Sequence, residues 1–411
     1  MKQDAKKVND FIKTRWKDSV RHQVEDTGTL IGLPFPYTVP CPEGKEMQNN
    51  FYWDTYFMNV GMIRHGFIEQ AKNNTDNLLS EVEKYGYVPN GNRTFFLNRT
   101  QPPFLCLMIR DVFDAIQDRE WLKKAFTIWN KEYDFWMKNR KTAIGLNHHL
   151  HHSTKKDLLK FYEDELFYRI KFNPQNENDK IEIANHYLAE AETGWDFTPR
   201  FHQQCANFIQ IELNCILYLC ELDAAYFSDI LESKDTEAWR GHAEKRKEII
   251  LKLLWNESES FFYDYDFVND KYSQVATLGG FAPLWAKIAA KDQAKKVVQN
   301  LHHFEYDFGV AVCENSNQQI VYQWDFPNGW PPITFMVIEG LINYGFLKDA
   351  KRIAEKYIKT VVKNFNINGK LWEKYNVVDG SINVNNEYEM PSMLGWTAGV
   401  FVYCYEFLKN D

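Results

Sequence analysis

An all-α fold, an (α/α)6 barrel of six helical hairpins with long loops forming a pocket at one end, is predicted from three observations. Helical patterns dominate the 411 residues, strand patterns are few and short, and no unit recurs at a fixed period. A helical solenoid would show such a repeat. A closed ring of hairpins accounts for about a dozen helices, many in consecutive pairs, without one.

The helical candidates are 9–22, 76–86, 102–117, 119–139, 204–231, 236–255, 276–290, 291–304, 331–345, 346–366 and 395–409. Stretch 236–255, TEAWRGHAEKRKEIILKLLW, sets Trp239, Ala243, Ile249, Ile250, Leu253 and Leu254 near the 3.6-residue spacing of one helix face. Pro102 and Pro103 suit a first helical turn, where a missing donor costs nothing. Strands are expected only at FFYDYDF (261–267) and around LWEKYNVV (371–378). No Pro/Gly/Ser-rich linker divides the chain, and the polar stretch FNPQNENDK (172–180) reads as an exposed loop. Residues 1–411 are therefore read as a single domain.

Composition narrows the function. Hydrophobic residues at 45% and charged residues at 25% suit a globular chain, and a net charge of −8 without a basic stripe argues against nucleic acid and anionic membrane surfaces. No apolar run is long enough to span a bilayer, and the N-terminus lacks a signal core. The seven cysteines (41, 106, 205, 215, 220, 313, 404) lack CxxC spacing, which fits reduced thiols and a cytoplasmic location. Aromatics reach 16%. That excess serves either a bulky core or an aromatic-lined cleft.

Five segments interleave aromatics and glycines with carboxylates and amides: NNFYWDTYF (49–57), VPNGNRTFFLNRTQPP (88–103), ETGWDFTPRF (192–201), QWDFPNGWPP (323–332), and WEKYNVV with NEYEMPSMLGWT (372–397). Three carry a Trp-Asp pair, at 53–54, 195–196 and 324–325. An indole stacks on the apolar face of a pyranose while a neighbouring carboxylate accepts its hydroxyls. The structural alternative for each segment is an Asp that caps a helix beside a Trp in the core. Their recurrence at loop positions favours a carbohydrate pocket. Prolines 327, 331 and 332 would make Trp324 and Trp330 a preset wall that loses little entropy on binding. No phosphate or dinucleotide motif is present, so no cofactor is expected. In NHHLHHS (147–153), His148 and His152 have i, i+4 spacing, but Gly145 and Asn147 indicate a loop. His148, His149, His151 and His152 are thus read as a polar loop near the pocket mouth, with no metal.

These motifs, in this order, resemble those of the trehalase family, glycoside hydrolase family 37, from about residue 33 to 400; LPFPYTVP before NNFYWDTYF matches in part. The resemblance implies an (α/α)6 barrel that hydrolyses a small α-glucoside, first of all α,α-trehalose, with inversion. It assigns Asp196 as general acid and Glu373 as general base. It also implies sugar-binding roles for Trp53, Asp54, Asn90, Arg99 and Gln101, with Tyr52, Trp195, Trp324 and Trp396 in the same segments. Glu387 matches an acidic lid residue, and Asp325, Asn328 and Trp330 shape the pocket by contact or by supporting their loop. Chemistry agrees: glycoside cleavage needs one protonated and one ionised carboxyl, and Trp195 beside Asp196 could wall off an acid and raise its pKa. On the residues alone, the ordinary reading of Glu373 is a salt bridge with Lys374 or another cation on a solvated face.

The sequence also departs from the family. A Pro-Gly-Gly-Arg-Phe segment is replaced by PCPEGKEMQNNF, with Lys45 a weak stand-in for the arginine. The Arg-Pro-Glu segment has no clear counterpart in STKKDLLKFYEDEL (153–166), and the Gly-rich lid has become DGSINVN (379–385). The alternatives are therefore another α-glucoside with a different leaving group, or a member that binds sugar without turnover.

Overall fold

The computed structural model describes residues 2–43, 47–169, 172, 174–315 and 320–409. Lys45 lies outside them. Within the described residues the helices are α1 (Lys2–Arg15), α2 (Tyr52–Arg64), α3 (Ile68–Tyr85), α4 (Leu105–Ile116), α5 (Arg119–Asn139), α6 (Lys155–Phe161), α7 (Phe167–Arg169), α8 (Glu177–Thr193), α9 (Ile211–Ile230), α10 (Thr236–Leu253), α11 (Ala282–Trp285), α12 (Lys291–Gln299), α13 (Pro331–Asn343), α14 (Leu347–Asn368) and α15 (Gly395–Lys409).

Helices α2, α4, α9, α11, α13 and α15 each pack on the next, and α15 returns to α2, which closes an inner ring. Their hairpin partners α3, α5, α10, α12, α14 and α1 form the outer layer. The (α/α)6 toroid is therefore the observed fold. The two layers differ in sequence for a physical reason. Inner helices are covered on nearly every side: α2 buries its first eleven residues and α13 its first eight. Outer helices such as α3 and α14 bury one stripe. Inner helices also approach closely; a Cβ on Gly399 of α15 would stand 1.8 Å from the Phe57 carbonyl oxygen of α2.

The same burial explains where the expected elements fail. Segment 49–57 is not a loop beyond Phe51, because α2 begins at Tyr52. A helix without a polar face shows no amphipathic period, so α2 escapes a periodicity search. Helix α8 starts inside the expected 172–180 loop, capped by Asn176, whose side chain accepts from Asp179 N. Candidate 276–290 shrinks to a 3-10 turn and one-turn α11, broken by Gly279, Gly280 and Pro283. The first helix is 2–15 rather than 9–22, α3 begins earlier, at Ile68 rather than 76, and α9 begins at Ile211, after a two-residue strand at Phe208–Ile209. Both strand regions exist as two-residue pieces, including Tyr375–Asn376 paired antiparallel with Asn328–Gly329. No helix among the described residues is long and apolar enough to cross a membrane.

Between the second and third hairpins the chain adds α6, α7 and α8. These carry a small core of their own, in which Leu158, Phe161 and Leu166 meet Tyr187, Leu188, Phe197 and Tyr322.

Glu81 on α3 is buried, neither carboxyl oxygen has a hydrogen-bond partner among the described residues, and desolvation pushes the group up to about 8. Below pH 4.5 the carboxyl is protonated in both states; between 4.5 and about 8 only the unfolded chain releases the proton, so stability falls as pH rises through that window. Glu81→Met is expected to widen its stability advantage over the wild type by a few kcal/mol between pH 4 and pH 8 (about 1.4 kcal/mol per unit), read by denaturant unfolding. A constant gap would show that Glu81 does not titrate there.

Candidate active site

The loops that enter the inner helices converge on a hollow of about 730 Å³, a volume typical of small-ligand sites. Trp53 and Asp54 come from the first turn of α2, Gln101 from the approach to α4, Trp330 from the residue before α13, and Trp396 from the start of α15. Asp196 arrives on the loop after α8 and Glu373 on the loop after α14. Asn90, Arg99 and Trp324 also line the hollow.

Its aromatic wall is built in layers. Trp324 stacks on Trp330 with centroids 3.8 Å apart and planes 5° from parallel. Trp53 tilts against Trp324 at 5.7 Å, and Trp396 meets all three edge-on. The Trp330 indole N–H donates to Gln323 O at 3.0 Å. Gly194, with φ +79°, brings the chain so near Trp53 that a Cβ there would stand 2.7 Å from the indole.

Asp196 is held by Arg169, whose Nη2 donates to its Oδ2 at 3.1 Å and to its backbone O at 3.2 Å. Gln323 Nε2 donates to the same backbone oxygen. Burial raises the Asp196 carboxyl and the Arg169 guanidinium opposes it, leaving it above the usual aspartate value. Glu373 is buried; its Oε2 accepts from Lys374 Nζ at 2.6 Å and its Oε1 from the Tyr388 hydroxyl at 2.6 Å. The ordinary reading of Glu373 was thus half right. The Lys374 pair exists, but it is buried against the hollow rather than solvated. Asp54 is a third carboxyl, raised well above its ordinary value by burial and by the charge of Glu373, with Oδ1 unpartnered among the described residues.

Several expected binding residues stand elsewhere. Tyr52 is fully buried away from the hollow, donating to Glu132 Oε1 at 2.7 Å and accepting from Leu105 N. Trp195 stacks behind Trp324 at 5.2 Å with the Arg200 guanidinium 4.3 Å over its ring, so it backs the wall without lining it. Asp325 accepts from Phe326 N at 2.7 Å and holds its own loop. Asn328 donates to Gln323 O and Asn385 O, tying the 323–332 loop to the segment that carries Glu387. Glu387 also lies behind the surface, its Oε2 bound by Arg169 and its Oε1 accepting from Gln323 N. The histidine loop is structural: His149 is fully buried beside Glu192, and His148, His151 and His152 bond Ala206 O, Asn185 and Leu97 O without lining the hollow.

Other residues entered the hollow unforeseen. Arg169 and Glu165 line it from the turn that ends in α7, just past the stretch where an arginine looked lost, so one cation is in fact supplied. Of the pair Glu387-Tyr388 it is the tyrosine that faces the hollow. The signal for Arg169 was only its nearness to 153–166; nothing local showed which way it would point.

A helical toroid whose loops gather carboxyls on an aromatic wall has the parts a glycoside hydrolase needs. The trehalase family profile matches residues 1–409, and the chain belongs to that family. It is 30% identical over 401 residues to a periplasmic trehalase of Salmonella schwarzengrund, covering 92% of this chain and 69% of that one. It is 28% identical over 442 residues to a trehalase of Bombyx mori, covering 99% and 74%. Among solved structures, neutral trehalase Nth1 of Saccharomyces cerevisiae superposes with a TM-score of 0.77 at 27% identity, over 97% of this chain and 80% of that one.

Proposed function

We propose that this protein hydrolyses α,α-trehalose to glucose with inversion, Asp196 acting as general acid and Glu373 as general base. The observation that carries this reading is that the two carboxyls, remote in sequence, line one aromatic-walled hollow. Asp196, raised by burial, holds the proton that the glycosidic oxygen needs as its bond to the anomeric carbon breaks. Glu373 takes a proton from water as the water oxygen bonds to that carbon from the opposite face, a geometry that in inverting enzymes needs about 6.5–9.5 Å between carboxyls. One glucose forms as the β-anomer and the other leaves as the α-anomer. Trp53, Trp324, Trp330 and Trp396 stack on the sugar faces, while Asp54, Asn90, Arg99, Gln101 and Arg169 take the hydroxyls.

A different α-glucoside is the second reading, favoured by the apolar side of the hollow, where Met47, Phe51, Phe95, Phe96 and Pro391 gather. Turnover-free sugar binding has less support, because both carboxyls are retained. We take the whole chain as one catalytic domain, since the ring closes only when α15 returns to α2. A cytoplasmic setting goes with seven buried cysteines that lack CxxC spacing; recovery of the native protein in a periplasmic fraction would reject it.

The test is proton NMR of trehalose and a panel of α-glucosides during the first turnovers. Equal initial amounts of α- and β-glucose from trehalose are expected. α-Glucose alone would mean retention, and no release from any glycoside would reject hydrolysis.

A further inference from the structure

Of two neighbouring residues on the 379–388 segment, the expected lid, one bonds Glu373 directly and the other is joined to Asp196 through Arg169. Glu387 Oε2 accepts from Arg169 Nη2 at 2.9 Å and Nε at 3.2 Å, and the same Nη2 donates to Asp196 Oδ2. Tyr388, next in the chain, donates its hydroxyl to Glu373 Oε1 at 2.6 Å. The lid is tied to the 323–332 loop by Asn328, whose Oδ1 accepts from Asn385 N at 3.3 Å and whose Nδ2 donates to Asn385 O at 2.9 Å.

We propose that Tyr388 is a positioning residue for Glu373, fixing the carboxylate so that a remaining lone pair faces the hollow. The inference rests on reading Glu373 as the general base. A glutamate side chain has free torsions, and a base must present one oxygen to one water molecule. Two contacts remove that freedom, Lys374 Nζ on Oε2 and the Tyr388 hydroxyl on Oε1, while the Trp396 indole N–H holds the backbone oxygen at 2.9 Å. Lys374 is the next residue of the same loop and Trp396 belongs to α15; Tyr388 comes from the 385–388 segment. Seating of residues 385–388 therefore readies the base through Tyr388 and, through Glu387 and Arg169, sets the surroundings of the acid. The phenol keeps its proton throughout, so no bond to hydrogen is broken at Tyr388. Charged and titratable groups around the pair are Lys374, with Nζ 5.2 Å from the Tyr388 ring centre, Arg169 at 5.8 Å, and the carboxyls of Asp54 and Asp196.

The variant is Tyr388→Phe, which removes one hydroxyl from a side chain 37% exposed. Loss of a hydrogen bond to a charged group predicts a fall in kcat of about 10- to 100-fold with little change in KM. Losing a donor also disfavours the ionised carboxylate, so the acidic limb of the kcat/KM profile should move to higher pH, while the melting temperature stays put. A merely structural tyrosine would not shift that limb. Wild-type kcat and an unmoved limb would overturn the proposal. Glu373→Gln, run in parallel, separates the causes. If it is inactive and Tyr388→Phe behaves as wild type, only this inference falls; if it retains turnover, the base assignment falls and this inference with it.

Discussion

Asp196→Asn is expected to lower kcat on trehalose by at least about 10²–10⁴-fold, the usual worth of a general acid or base, and to leave the fold intact. Its side chain is one-third exposed to the hollow and its charged partner Arg169 keeps Glu387. Glu373→Gln should cost at least as much activity but also some stability. Lys374 is fully buried, with Glu373 as its carboxylate partner; among the described residues its other neighbours are the Gln323 amide oxygen at 3.4 Å and the Trp330 and Tyr388 rings at 4.6 and 5.2 Å. Breaking a buried pair leaves an uncompensated charge; the amide oxygen of the new Gln softens that loss. Activity and melting temperature of both variants are the measurements. Retained turnover in either would remove that residue from its role, and an unchanged melting temperature for Glu373→Gln would show the Lys374 ammonium to be satisfied without it.

The largest stability effect is expected at Arg200. This guanidinium is fully buried and donates to Glu212 twice at 2.8 Å and to Asp264 at 2.7 and 2.8 Å. Asp264 Oδ1 in turn accepts from Ile211 N at 3.1 Å, so the cluster locks the start of α9 to the loop carrying Asp196. Arg200→Met strands two carboxylates in the core and should cost about 3–5 kcal/mol or more. The expected readout is a lower denaturant midpoint at nearly unchanged slope. Adding Glu212→Gln and Asp264→Asn should restore part of the loss, because the cost is charge without compensation. If the triple variant is no more stable than Arg200→Met, lost packing is the cause instead.

The lid and the Arg169 turn show where local reading ends. Sequence placed Glu387 in the pocket because its motif was recognisable, yet the side chain turned inward to hold Arg169, and Tyr388 took the exposed side. Which of two adjacent side chains faces a cavity depends on backbone direction, and an irregular loop has no period to fix it. Asp325 and Asn328 take the second of their two expected uses, supporting the loop, and both close backbone hydrogen bonds. Tyr52 was misplaced because its segment is helical, which turns successive side chains about 100° apart and points it at Glu132.

By itself the sequence determined the helical class, the outer amphipathic helices, the order of aromatic-carboxylate motifs and, through them, the resemblance to one family. These are properties of local spacing and residue type, which survive without a partner. The tertiary structure alone decided that α2 is an inner helix, that Arg169 supplies a cation to the hollow, that Lys374 is buried against Glu373, and that Tyr388 rather than Glu387 lines the site. Each depends on which segments meet across the ring, and burial from all sides erases the periodic signal that a chain would otherwise carry.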